Sequence, residues 1–321
     1  MRLLQVSDSF LGEVPFGIAA LGDDLWRGFA AAIDQAIAAK VDMFVHAGQL
    51  IGAFTTVDAV AERICGELDR LAAADIAVVL HDDATYSTGG DDLGLLGHAT
   101  VSADHGTNVI VRGVGFGAGL TAATPAAQNV SLVRAAVIGM PATDRMAPPL
   151  DALDLAASAP RWDWIGLSGC TRAAMVEPTA WYSGQTAPLD TRDSSHGYGL
   201  LIDLNAAVAV NRLCDVVRWQ GRPHCNIRVV CQGVTNHELA AIVDARVAQA
   251  AALEADWNGT VVELDLDARG TEMTLESLLE QIPAAIRLLH DCVYAQLRWN
   301  GTARPLPRDA QSGSTSRPRK S

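Results

Sequence analysis

Apolar residues recur with two different periods in the first eighty positions, and this predicts strands alternating with helices. Leu3–Val6 and Val41–Gly48 are short apolar runs that end at polar or glycine-containing turns, whereas Leu25–Ala39 has apolar residues every three or four positions. A second helical pattern, Val57–Ala74, leads into a third apolar run, Ile76–Leu80. This alternation is typical of parallel β-α-β units, in which the turns after the strands lie on one edge of the sheet.

The pattern changes between Gly89 and Ala142, where short β runs are separated by Gly, Asn and Pro without helices between them. This predicts an antiparallel or mixed sheet. Further strands are predicted at Trp162–Leu167 and Gly199–Leu204, and Val208–Trp219 is interpreted as a strand pair that closes the core.

A break in composition at residues 221–223 separates a last part with a β-α-β-α pattern, which ends in a long predicted helix, Leu275–Arg298, kinked at Pro283. The sequence therefore predicts an α/β fold with a core over residues 1–222 and a small α/β cap domain over 223–303. Residues 304–321 are rich in Pro, Ser and Gly and predict a disordered tail with five basic side chains against one acidic. This tail is either an inert solvated terminus or a segment that touches nucleic acid.

Composition narrows the class of protein. A hydrophobic content of 49% excludes global disorder, and a formal net charge of −13 argues against a protein that coats nucleic acid. With no apolar run of about 18 residues and no leader-like start, we expect a soluble, cytoplasmic protein without a membrane partner. The six cysteines lack a CxxC pair, which favours a reduced structural set; a zinc site formed by Cys225 and Cys231 with His224 or His237 is the alternative.

Four turns that follow predicted strands carry a recognisable order of residues. They read Ser7-Asp8-Ser9-Phe10-Leu11-Gly12, Ala47-Gly48-Gln49-Leu50-Ile51-Gly52, Asp83-Ala84-Thr85-Tyr86 and Ser168-Gly169-Cys170-Thr171. This order resembles the SbcD-type DNA-repair exonucleases of the calcineurin-like metallophosphoesterases, particularly their YhaO-like branch, in which the turns read S-D-x-H-L-G, A-G-D-L-F-D, G-N-H-D and G-H-x-H. The resemblance covers Met1 to about Trp219 and implies a two-sheet α/β/β/α sandwich with a small C-terminal α/β cap.

The resemblance implies a two-metal site, but at the matched positions only Asp8 keeps a ligand side chain. The other matched positions hold Phe10, Gln49, Ala84, Thr85, Gly169 and Thr171. Two divalent ions about 4 Å apart repel each other, and a bridging carboxylate offsets that repulsion. The uncharged amide of Gln49 is a poor replacement. We therefore expect vestigial site positions, no dinuclear centre and no resident cofactor.

A relocated metal site is the alternative. Asp8, His46, His81 and Asp82 lie at neighbouring predicted strand ends, where they could hold a single Mn²⁺ or another divalent ion. Each of these residues also has a structural interpretation: Asp8 accepts backbone N–H groups, His46 is a buried histidine satisfied by the backbone, and His81 with Asp82 forms a polar strand edge.

Three functions follow from these interpretations. The favoured one is a catalytically degenerate exonuclease-like protein that acts as a binding or assembly subunit in a homo- or hetero-oligomer. By resemblance alone, its partners are an SbcC-like coiled-coil ATPase, an active homologue or DNA. The second is an active metal-dependent phosphodiesterase or DNA exonuclease, a hydrolase with relocated ligands. The third is a structural homodimer with an empty cleft.

Overall fold

The computed structural model describes residues 2–81, 109–114, 133–138, 164–178, 180–190, 195–203, 214–231, 233–253, 259–267, 275–282, 292–299 and 302–305. The chain divides into two compact units, with the division along the chain between Gly221 and Arg222; residues 190–192 belong to the second unit. The first unit contains, in chain order, β1 (Arg2–Ser7), α1 (Ala19–Ala39), β2 (Met43–Ala47), α2 (Val57–Ala73), β3 (Ala77–His81), β4 (Val109–Val114), β5 (Val133–Ile138), β6 (Trp164–Leu167), β7 (Ala174–Glu177), β8 (Ala180–Tyr182), β9 (His196–Asp203) and β10 (Cys214–Gln220).

One sheet of the first unit has the strand order β10-β9-β1-β2-β3. Strands β1, β2 and β3 are parallel to one another, as the alternating pattern predicts, and β9 and β10 are antiparallel additions. On one face of this sheet, Leu4 and Phe44 pack against α1 and α2, and on the other face Leu3 and Met43 pack in a cluster with Trp164. Strands buried on both faces read as nearly continuous apolar runs, which is why these strands are visible in the sequence.

Helix α1 begins at Ala19, six residues before the predicted start at Leu25. The added turns belong to the helix because Leu21 is buried on the same side as Leu25, one helical turn earlier. Helix α1 ends at Ala39. The next residue, Lys40, caps it by adopting a left-handed conformation (φ 50°) and donating its N–H to the carbonyl of Ile37.

The second sheet of this unit has the order β4-β5-β6-β8-β7. It is mixed: β4, β5, β6 and β8 are parallel, and β7 is antiparallel to β8. Of the strand pair predicted at Val208–Trp219, the described residues contain β10, while 204–213 lie outside them. No helix within the described ranges combines the length and the apolarity needed to cross a membrane.

Within the described residues, the second unit contains one sheet and two helices packed against it. Its elements are β11 (His224–Val230), α3 (Asn236–Leu253), β12 (Val261–Asp267), α4 (Leu275–Gln281), β13 (Tyr294–Trp299) and β14 (Thr302–Pro305). The sheet has the order β11-β12-β13-β14, in which β11, β12 and β13 are parallel and β14 is antiparallel. The core joins Leu264 and Leu297 of the sheet to Val243, Val247 and Leu278 of the helices.

On the other face of this sheet, Arg298 pairs with the buried carboxylate of Glu263. The Arg298 Nε lies 2.8 Å from Glu263 Oε1, and Gln296 donates a 2.6 Å hydrogen bond to Glu263 Oε2. Glu263 is 1% exposed, so its charge depends on these neighbours for stabilisation.

The prediction of one long helix over Leu275–Arg298 is wrong. Helix α4 ends at Gln281, two residues before Pro283, because proline lacks an N–H and disfavours helical backbone in the residue before it. Residues 294–299 instead form β13, which pairs in parallel with β12. Strand β14 includes Arg304 and Pro305, the first two residues of the segment for which disorder was predicted; residues 306–321 lie outside the described part of the chain.

Candidate functional site

Asp8 joins three loops at the end of β1. Its Oδ1 accepts a 3.1 Å hydrogen bond from the backbone N–H of Gln49, after β2, and its Oδ2 accepts a 2.6 Å bond from the N–H of Gly169, after β6. The N–H of Asp8 itself donates to the carbonyl of Ala47 at 3.2 Å. The carboxylate is 4% exposed and has the backbone-binding role expected of it at this place in the sequence.

Gly48 allows this close approach. Its φ is +70°, and a Cβ at this position would lie 2.4 Å from Asp8 Oδ1 and 2.6 Å from the Ser168 side chain. A larger residue would therefore be strained by its backbone and would also collide with two side chains. The backbone of the second turn fills the space directly beside the carboxylate.

Phe10 occupies the position that holds a histidine in the motif that this turn resembles. It has a left-handed backbone (φ 49°), and its N–H donates to the carbonyl of Gln49 at 3.2 Å. The N–H of Leu11 continues this pairing by donating to the carbonyl of Leu50 at 2.8 Å. Because these contacts use backbone atoms, they hold the two loops together whatever side chain stands at position 10.

A chain of buried polar side chains lies beside Asp8. The Thr186 hydroxyl donates to the Ser9 hydroxyl at 2.9 Å, and Ser9 Oγ lies 2.9 Å from Nε2 of His46. All three side chains are fully buried, and the Phe29 ring packs edge-on against His46 with 6.2 Å between ring centroids. His46 Nε2 thus bonds a hydroxyl, where the sequence predicted a histidine satisfied by the backbone.

Ser9 and Thr186 were not selected as site residues from the sequence. Ser9 lies in the first quoted turn, and Thr186 lies four residues after the end of β8. Only their positions near the ends of strands could have indicated a role, and the contact between them joins residues 177 positions apart. Only the assembled sheets reveal that contact.

The second sheet is tied to β1 through buried side chains. The Gln5 Oε1 accepts a 2.8 Å hydrogen bond from the Trp164 indole, and the Ser7 hydroxyl donates to the carbonyl of Gly184 at 3.0 Å. A Cβ at Gly166 would lie 2.2 Å from Gln5 Oε1, so glycine is needed there for the approach. These contacts hold the turn after β6 next to Asp8.

The remaining predicted site residues are less fully described. Thr171 lies two residues beyond Gly169 and is partly buried. His81 is the last residue of β3 and pairs in register with Ala47, so the ends of β2 and β3 are level. The side chain of His81, and all of Asp82, Ala84 and Thr85, lie outside the described residues.

Burial controls the ionisation of two groups in this unit. Burial, with a smaller contribution from the nearby Cys170, raises the pKa of the Tyr182 phenol at the end of β8. Burial and the adjacent Asp215 raise the pKa of the Cys214 thiol to about 12. Both groups are therefore neutral at physiological pH.

The residues present do not fit a two-metal centre. Both oxygens of Asp8 bind backbone N–H groups, Gly48 fills the space beside Oδ1, and the matched positions 10 and 169 hold phenylalanine and glycine. Within the described ranges, no cluster of three or more His, Cys, Asp or Glu side chains could hold a metal ion, and this includes the zinc combination of Cys225, Cys231 and the nearby histidines.

Comparison with known proteins adds little to this description. No family model and no curated protein matches the chain. Among solved structures, the chain is similar to TT1561 of Thermus thermophilus, with 10% sequence identity, 68% of this chain and 98% of that chain covered, and a TM-score of 0.40. A likeness of this size carries no argument about the site.

Proposed function

We propose that this protein is a catalytically degenerate relative of the SbcD-type metallophosphoesterases, and that it acts as a binding or assembly subunit. The observation that carries the proposal is the pair of hydrogen bonds from Gln49 and Gly169 to Asp8. In the motifs that this sequence resembles, the same three positions carry metal ligands. Here they meet at one point, but the contact is a structural junction of one carboxylate and two amides.

The convergence supports the resemblance because the positions are far apart in the chain. Gln49 lies 41 residues and Gly169 lies 161 residues beyond Asp8. The proposal also includes the two-sheet sandwich implied by the motifs, for which the packing of Leu3 and Met43 with Trp164 between the two sheets is the supporting contact.

The chemistry of the junction opposes phosphoester hydrolysis by the mechanism of that family. A two-metal clamp needs anionic or imidazole ligands that bind both ions and stabilise the attacking and leaving oxygens. The Gln49 amide carries no charge, and Phe10 and Gly169 offer no donor side chain. A cation at Asp8 would also have to displace two backbone N–H groups that point at the carboxylate.

A partner is the remaining part of the proposal, and it comes from the resemblance alone. A coiled-coil ATPase of the SbcC type, an active homologue and DNA ends are the candidates, and each would bind a subunit that contributes structure to an assembly. Binding to none of the three in pull-down and gel-shift assays would count against an assembly role.

The catalytic part is tested with the purified full-length protein and its Asp8→Asn variant. Hydrolysis of bis(p-nitrophenyl) phosphate and of linear DNA is measured with added Mn²⁺, together with the metal content of the protein. We expect the same background rate for both proteins. Near-stoichiometric metal and Mn²⁺-dependent hydrolysis that Asp8→Asn abolishes would instead establish an active phosphodiesterase with relocated ligands.

A further inference from the structure

Two adjoining loops of the first unit expose large apolar side chains. Val14 and Phe16, in the loop after β1, are 48% and 46% exposed, and Phe54, in the loop after β2, is 95% exposed. We call these three residues the Phe16–Phe54 surface. Single exposed apolar residues are ordinary, but aromatic residues gathered on neighbouring loops are typical of binding surfaces.

The two loops contact each other closely. The N–H of Phe54 donates to Glu13 Oε1 at 3.4 Å, and the N–H of Gly52 donates to the carbonyl of Leu11 at 2.9 Å. A Cβ at Gly12 would lie 2.3 Å from Thr55. These contacts hold the two loops in a fixed position relative to each other.

Phe16 is held in an unfavourable conformation while its side chain stays exposed. Its φ is +55°, in the left-handed region that non-glycine residues rarely adopt. Hydrogen bonds from Gly17 to Val14 and from Ile18 to Pro15 enclose it in a short 3₁₀ turn. Because the backbone of this loop is already fixed, it loses little conformational entropy when a partner binds.

The segments that carry the surface are acidic. Residues 10–26 and 49–62 contain no lysine or arginine, and Asp23 and Asp58 are exposed. The first basic residues beyond them are engaged: Arg27 pairs with Asp24, and the Arg63 guanidinium lies 4.1 Å from the centroid of the Trp26 ring. The acidic residues in these segments are Glu13, Asp23, Asp24, Asp58 and Glu62. Asp24 is buried and paired with Arg27, which leaves Asp23, Asp58 and Glu62 as the exposed carboxylates.

We propose that the Phe16–Phe54 surface binds a basic amphipathic protein segment, whose apolar side chains contact the two phenylalanines and whose lysines or arginines face the acidic flanks. The negative charge of the flanking segments favours a basic partner over an acidic one. Phosphate groups of nucleic acids or anionic lipids would be repelled by the same flanks, and a second copy related by a twofold axis would bring acid against acid. The proposal rests on the proposed binding function and names the chemistry of its partner.

The test uses the full-length protein and a fluorescent 18-residue peptide of lysine and leucine in amphipathic helical order. Binding is measured by fluorescence anisotropy for the wild type, Phe54→Ser, Phe16→Ser and Val230→Ser; the last replaces an apolar residue of the second unit that is 57% exposed. We expect Phe54→Ser and Phe16→Ser each to raise Kd at least about tenfold. Val230→Ser should leave it unchanged.

A peptide of the same composition in shuffled order separates amphipathic recognition from charge alone, and it should bind at least about tenfold more weakly than the ordered peptide. Phe54→Ser is the decisive variant because its 95% exposed side chain contributes little to folding. Equal affinity of wild type and Phe54→Ser, or equal affinity for the two peptides, would overturn the proposal.

Two further measurements test the rejected occupants. Flotation with phosphatidylcholine vesicles, with and without phosphatidylserine, should show no binding that depends on Phe54, and sedimentation velocity should show no dimer that Phe54→Ser dissolves. Either positive result would overturn the proposal. None of these experiments uses Asp8 or a metal. A negative result here would therefore overturn only the proposed peptide-binding surface, whereas Mn²⁺-dependent hydrolysis would overturn the proposed loss of catalysis.

Discussion

Asp8 and Gly169 are joined by a 2.6 Å hydrogen bond between a buried carboxylate and a backbone N–H in the turn after β6, a strand of the other sheet of the same unit. The position of the Asp8 side chain, in the turn after β1, therefore depends on the turn that follows β6. In the motif that this turn resembles, the aspartate binds metal; here its side chain joins the two turns by a hydrogen bond.

Replacing Asp8 by alanine should destabilise the first unit by about 1–3 kcal/mol, because the N–H groups of Gln49 and Gly169 would lose their acceptor. Urea unfolding followed by tryptophan fluorescence measures the change in the free energy of unfolding. Asp23→Ala, at an exposed position of α1, is the control and should have little effect. Equal stabilities of the two variants would show that the carboxylate does not hold the loops.

Gly48→Ala should be more destabilising than Gly17→Ala. Both glycines have positive φ, +70° and +72°, so both variants carry the backbone cost of about 1–2 kcal/mol for an L-residue. At Gly48 the new Cβ would also collide with Asp8 Oδ1, whereas nothing lies within 4 Å of the Cβ position at Gly17. The difference between the melting temperatures of the two variants measures the effect of the collision on stability. Identical melting temperatures would contradict the packing around Asp8.

Thr235→Ala should weaken the start of α3 by about 1 kcal/mol, because Thr235 and Glu238 form a capping box. Hydrogen bonds from the Thr235 N–H and hydroxyl lower the pKa of Glu238. A carboxyl whose pKa is lower in the folded state contributes stability at pH above its unfolded pKa, and this stability is lost as pH falls through the folded pKa. Denaturant unfolding of the wild type and Glu238→Gln between pH 7 and 3 should therefore converge at low pH; a constant difference would contradict the assignment.

Cys214 should resist alkylation by iodoacetamide at pH 8 in the native protein. Burial, assisted by Asp215, raises its pKa to about 12, and the thiolate is the reactive form. Since the folded pKa lies above the unfolded one, the contribution to stability is present at neutral pH and is lost as pH rises from the unfolded value towards 12. Mass spectrometry of native and urea-unfolded protein provides the comparison, and equal labelling in both would refute the prediction.

Arg298→Met should destabilise the second unit by about 3–5 kcal/mol, because it leaves Glu263 buried with one cationic partner fewer. The double variant Glu263→Gln with Arg298→Met should recover much of the loss, since no charge then remains at this pair. Guanidinium unfolding of the single and double variants tests this. A double variant less stable than Arg298→Met would mean that the carboxylate has sufficient stabilisation without the arginine.

The sequence predicted the features that depend on local pattern. Strands β1, β2 and β3 are buried on both faces and were visible as apolar runs, and the carboxylate of Asp8 after a strand indicated a backbone-binding role. The contact of Ser9 with His46 and Thr186 was not predictable, because it joins residues 37 and 177 positions apart that only the assembled sheets bring together.

The prediction of one long helix at the end of the second unit failed for a different reason. Ala295, Leu297 and Trp299 alternate on one face of β13, but Ala295 and Trp299 are four residues apart and would also share one face of a helix that continues from α4. Pro283 was interpreted as a kink within a helix, whereas α4 ends before it. Pairing with β12 decides between the two structures, and that pairing depends on residues about 30 positions away.

The junction at Asp8 also has a consequence for the order of folding. Its bond to Gly169 closes a loop of 161 residues, so it forms only when β1 and β6 have come together, and until then water must solvate the carboxylate. The amide proton of Gly169 should consequently exchange with deuterium only through openings that separate the two sheets. Its exchange rate would measure how often these two sheets of the first unit separate.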